Sequence, residues 1–154
     1  ELEALIERDG DLSPYYLALA EALQADGQPE QALSVLEFSQ TLFPDHPAAV
    51  LALADALDAQ GEARQALQQL RGFLRTQPDQ PALQQAVARV AASAGLRSES
   101  RLAMAEYYRA LGQFDPAIAQ LDQVIDSAEA SVYDKNRALA RRQIMTAERN
   151  RQRQ

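Results

Sequence analysis

Laid over itself with a shift of 34 residues, the chain matches at informative positions. Leu19, Ala20 and Leu23 fall on Leu53, Ala54 and Leu57, Gly27 on Gly61, Ala32 on Ala66, Leu36 on Leu70, and Pro44 on Pro78. One period earlier Leu2 falls on Leu36, and one period later Ala54 falls on Ala88 and Gly61 on Gly95. Such a period marks a short unit that cannot bury its own apolar face and must stack on its neighbours. Each period reads as helix, Gly-containing turn, second helix, Pro-containing turn.

The residue types support that reading. Leu19 and Leu23 lie one turn apart and give the first helix of the unit an apolar stripe, as Ala32 and Leu36 do for the second. Ala20 and Ala54 allow close helix approach. Gly27 and Gly61 stand where a left-handed C-terminal cap is needed, and Pro44 and Pro78 stop the second helix. The rest of the chain is rich in Ala, Leu, Gln, Glu and Arg, which lose little rotamer freedom in a helix. Helices are predicted near 1–8, 13–26, 29–42, 47–60, 63–76, 80–94, 98–111, 114–127 and 131–149.

The order Tyr16, Leu19, Ala20, Leu23, Ala32, Leu36, Pro44 resembles the tetratricopeptide repeat, with Tyr for the usual Trp and Ala for the usual Gly. Val50, Leu53, Ala54, Leu57, Ala66, Leu70, Pro78 repeat it. A third copy, Met104, Ala105, Tyr108, Gly112, Ala117, Leu121, stands in a different phase, with Glu129 where a proline is usual. The resemblance implies an all-α fold, a right-handed superhelical solenoid of antiparallel helix pairs. Repeats are expected near 13–46 and 47–80, a lone or shared helix near 80–94, and a final repeat near 98–130. A capping helix is expected over 131–149 and a frayed tail over 150–154, so that one domain spans 1–149. The segment 1–8 reads as the remnant of an incoming repeat, with the array continuing upstream.

A narrower resemblance covers Ser100 to Arg142. Leu102 to Tyr108, the run from Ala117 to Leu121, Tyr133 and the Arg-rich last helix are similar to the C-terminal repeats of periplasmic zinc metalloproteases of the beta-barrel assembly-enhancing type. It implies a non-catalytic domain whose parent holds zinc in a separate His-Glu-x-x-His domain. It also implies a periplasmic location and, as partners, outer-membrane proteins, their assembly machinery and the parent's own protease domain. A free-standing cytoplasmic adaptor or assembly scaffold is the alternative.

Chemistry of its own is not expected of the chain. There is no cysteine, and His46, the single histidine, lies in the turn Pro44-Asp45-His46-Pro47 rather than on a helix with a second ligand. Asp55 and Asp58 share a helix face but have no histidine or metal to work with. No cofactor is expected. The net charge of −7 conceals a surplus of five positive charges over 131–154, which leaves twelve negative on the remainder and argues against nucleic acid as partner. No apolar run approaches the roughly 20 residues of a membrane-spanning helix.

A binding groove is the better candidate. Inward positions at i, i+4, i+7 of successive first helices are Leu17, Glu21 and Gln24, then Leu51, Asp55 and Asp58. The displaced helix offers Gln85 and Arg89, and the last first helix Leu102, Glu106 and Arg109. Exposed leucines at equivalent places are unusual on a purely solvated face. Tyr15, Tyr107 and Tyr133 are further candidate anchors. The groove so drawn is mostly acidic, suits basic and apolar segments, and disfavours the acidic tails of chaperones. The last helix is expected to pack through an arc of about 140° holding Val132, Tyr133, Leu139, Ala140, Ile144 and Ala147.

Overall fold

The computed structural model describes residues 13–154; the segment read as an incoming helix, 1–8, lies outside them. The described residues hold eight helices and no strand. They are α1 (Ser13–Ala25), α2 (Pro29–Leu42), α3 (Pro47–Ala59), α4 (Ala63–Leu74), α5 (Pro81–Ser93), α6 (Arg97–Ala110), α7 (Phe114–Ile125) and α8 (Val132–Gln152).

The punctuation is chemical. α2, α3 and α5 each open on proline, whose fixed φ suits the first helical position and whose missing N–H is not needed there. Four helices close on a glycine at positive φ: Gly27 (74°), Gly61 (82°), Gly95 (76°) and Gly112 (71°). The residue after each glycine donates back to a carbonyl in the last turn, as Glu62 does to Leu57 and Gln113 to Tyr108 (2.9 and 2.8 Å). Their spacing of 34, 34 and then 17 residues is a full period twice and a half period once.

The chain divides into two compact units between residues 69 and 70, so that the described residues form 13–69 and 70–154. In the first, α1, α2 and α3 pack on one another around Ala20, Ala32, Leu36, Val50, Leu53 and Ala54, all buried. The Tyr16 ring meets Phe38 edge-on at 5.7 Å and Phe43 at 6.4 Å. His46, the turn histidine, lies 3.3 Å from the Ser13 hydroxyl through Nδ1.

In the second unit α5 packs on α6, α6 on α7 and α7 on α8, with α6 also touching α8. The helix near 80–94 is therefore not alone: α5 pairs with α6. Ser100, one period after Ala66, donates to the Ala88 carbonyl at 2.8 Å and ties the pair. α6 in turn closes on Gly112 and packs on α7, so it ends one helix pair and begins the next. Leu102, Ala105, Ala117, Leu121, Val124 and Met145 form the core of this pairing.

The last helix differs from expectation in orientation. Val132 (76% exposed), Tyr133 (70%), Leu139 and Ile144 face solvent, while Ala138 and Met145 are fully buried. The surface that receives α8 explains this. α7 presents Asp115 and Asp122 two turns apart, and α8 answers with Arg149 and Arg142, both at 2.9 Å. Arg141 adds two bonds to Glu106 of α6, at 2.6 and 2.8 Å. An antiparallel ladder of arginine against aspartate flanks the small apolar stripe of Ala138 and Met145, and the long arginine stems cover apolar surface on the way. A start at Ser131, whose hydroxyl accepts from the Asp134 amide at 3.0 Å, caps the helix. The helix runs past the expected bound of 149 to Gln152, and Arg153 reaches Asp115 at 2.9 Å.

Candidate functional site

The residues predicted to line one groove fall in different settings. In the first unit, Leu17 and Leu51 are half-buried and Glu21, Gln24 and Asp55 exposed, with Asp58 half-buried, on the packed helices α1 and α3. Gln85 and Arg89 are exposed on α5 of the second unit. Leu102 is a correction: at 7% exposed it belongs to the core of α6, α7 and α8, because its helix packs on both sides. Glu106 is a second correction. Its carboxylate is taken by Arg141 and, at 2.9 Å, by Arg109, so it clamps α8 instead of offering charge to a client.

Arg109 itself spans Glu106 and Asp79. Partial burial works against its charge, but the hydrogen bonds to Glu106 and Asp79 outweigh burial and hold the guanidinium above its ordinary value. Among the aromatic candidates, Tyr15 is exposed, Tyr107 is half-buried against Tyr108 at 5.3 Å, and Tyr133 carries the Arg137 guanidinium 5.5 Å from its ring centre.

The cavity that the second unit does form was not drawn from the sequence. It encloses about 430 Å³ between the end of α4, α5, α6 and α8. Leu74, Val87, Leu102, Ala103 and Ala140 make an aliphatic floor; Arg71, Arg75, Arg137 and Arg141 stand around it with Glu99 and Glu106. Of the eleven predicted residues only Leu102 and Glu106 border it. Its signal was present in the sequence as two arginine pairs at i, i+4, Arg71 with Arg75 and Arg137 with Arg141, which place both members on one helix face.

The electrostatics are correspondingly divided. Residues 70–154 carry thirteen basic and nine acidic side chains, and residues 1–69 carry two basic and thirteen acidic. The acidic surplus of the sequence therefore belongs to residues 1–69 and the basic surplus to residues 70–154. In the cavity Arg71 pairs with Glu99 and Arg141 with Glu106. Arg75 has no acidic partner among the described residues. No group of three or more His, Asp or Glu side chains gathers as a metal site among the described residues. No helix among them is long and apolar enough to cross a membrane.

Tetratricopeptide repeat models match residues 23–90 and residues 99–131. The chain is a tetratricopeptide repeat protein. The second match begins inside α6 and treats that helix as the first of a repeat, in agreement with the half-period step at Gly112. No curated protein sequence matches the chain. Among solved structures, a double mutant of MamA RS-1 is similar, 14% identical, over 93% of this chain and 97% of that one, with a TM-score of 0.45. TTC0263, a thermophilic tetratricopeptide repeat protein of Thermus thermophilus, is 20% identical over 83% of this chain and 97% of its own, with a TM-score of 0.27. Membership of the family rests on the two repeat models rather than on these overlays.

Proposed function

We propose that the chain is a non-catalytic protein-interaction module. The observation that carries this is the cavity of the second unit, an aliphatic floor ringed by arginines, which is built to seat a side chain and orient charged neighbours rather than to move protons. The repeat family agrees, since stacked helix pairs expose extended faces for partner proteins. The face of α1 and α3 that carries Leu17, Glu21, Leu51 and Asp55 is a second contact surface, of opposite charge, for basic and apolar segments. Both surfaces act without a cofactor.

The finer reading is that the module belongs to a periplasmic zinc metalloprotease concerned with outer-membrane protein quality. Its support is the stretch from Ser100 to Arg142, and zinc in that case is held by another domain of the parent. A photo-crosslinking residue at Ala140, exposed on the cavity floor, with a control at Gln85, exposed on α5 outside the cavity, tests the module reading in extracts of the source organism. A discrete protein adduct at Ala140 and none at Gln85 is expected. Equal, diffuse labelling at both positions refutes it. The complete reading frame tests the parent: a His-Glu-x-x-His helix behind a signal peptide is expected, and a frame without one returns the chain to a free-standing adaptor.

A further inference from the structure

The charges around the cavity are not balanced, and the imbalance identifies what it takes. Four arginines face two glutamates, and both glutamates are already occupied, Glu99 by Arg71 and Glu106 by Arg141 and Arg109. Arg75 is left with no acid among the described residues. Arg137 lies over the Tyr133 ring, 5.5 Å from its centre, and its one acidic neighbour among the described residues is Asp134, 3.9 Å away, whose carboxylate already lies 2.7 Å from the Ser131 hydroxyl. Two guanidinium groups therefore border an apolar hollow without a hydrogen-bonded carboxylate among the described residues.

Guanidinium matches carboxylate in geometry as well as charge, and a fork of parallel N–H donors binds a carboxylate through both oxygens. The floor between them is aliphatic, and at about 430 Å³ the volume is in the range of small-ligand and side-chain pockets. We propose that this cavity seats an acidic protein segment, an aliphatic side chain of which enters between α4, α6 and α8 while flanking carboxylates engage Arg75 and Arg137. The inference rests on the interaction-module reading and adds the chemistry of the partner. It also reverses the preference for basic clients expected from sequence, which applies to α1 and α3 alone.

The test uses the full chain and a fluorescein-labelled octapeptide of six aspartates and two leucines, titrated by fluorescence anisotropy at low salt. Saturable binding is expected, weakened about tenfold or more by Arg75→Glu and again by Arg137→Gln, and weakened when the leucines are replaced by serine. Ala140→Glu blocks it. Arg75 is exposed, so an unchanged helical melt of Arg75→Glu separates loss of the seat from loss of the fold. A peptide with lysine for aspartate binding as tightly, or an Asp-Leu affinity indifferent to Arg75 and Arg137, overturns the inference. If the lysine peptide binds and Glu21→Lys with Asp55→Lys abolishes it, the module reading stands while this one falls.

Discussion

The attachment of α8 divides between packing and charge in a way that salt exposes. Met145 is its one large side chain that is fully buried, worth about 1.5–3 kcal/mol, and Ala138 adds little area. Arg141–Glu106 and Arg142–Asp122 are partly exposed pairs, and pairs of that kind contribute about 0.2–1 kcal/mol each. The two-pronged Arg141 contact belongs at the upper end, so these two together supply about 1–2 kcal/mol. A comparable share of the attachment is thus electrostatic. Raising ionic strength from about 0.1 to about 1 M shortens the screening length from about 10 to about 3 Å. A loss of about one to two kcal/mol multiplies local opening about 5- to 30-fold. Hydrogen exchange followed by mass spectrometry should show that acceleration for peptides spanning 139–149. Peptides of α3, which is packed through Ala49, Val50, Leu53 and Leu57, should change little. Protection of 139–149 that is unaffected by molar NaCl, or that falls equally in α3, refutes the division and leaves Met145 as the whole anchor.

Ala54 is fully buried between helices of the first unit, so Ala54→Leu should overpack it and cost about 1–3 kcal/mol in urea unfolding, with loss of the first unit ahead of the second. Gly95 has open space where a Cβ would stand, so Gly95→Ala should cost only the left-handed backbone, about 1–2 kcal/mol, and Gly95→Asn less. The hydrogen bond from Arg149, against some desolvation and with help from the Arg153 charge, holds the Asp115 carboxyl below its ordinary 3.8. Its contribution to the end of α8 is therefore complete above that pH and is lost as pH falls through the lowered value. Carbon-13 titration should place its midpoint below 3.8, and Arg149→Ala with Arg153→Ala should restore it.

The helices were legible because their punctuation is local. Pro29, Pro47 and Pro81 start three of them and Gly27, Gly61, Gly95 and Gly112 end four, and for the described helices the predicted bounds lie within two residues except at the end of α8. The orientation of α8 was not legible, since its apolar arc is real but periodicity does not say which arc meets a neighbour. That was decided by Glu106, Asp115 and Asp122, 20 to 35 residues away in sequence from the arginines they hold. Leu102 was misplaced for a related reason. A helix shared by two pairs buries more of its circumference than the first helix of one. The cavity joins side chains of four helices, and no single helix announces it.

The half-period step at Gly112 has a bearing on how this array can be rearranged. In an array of separate pairs, recombination can excise or graft any pair at its boundaries and leave both neighbours intact. Here α6 serves two partnerships, so a cut behind it strips α7 of one of its two neighbours and a cut before it parts α5 from its partner in this unit. A cut behind α7 would in turn break its ladder with α8, so the smallest interchangeable cassette in this half of the molecule is the whole run 81–152. Lineages that shuffle repeats should have inherited that block whole.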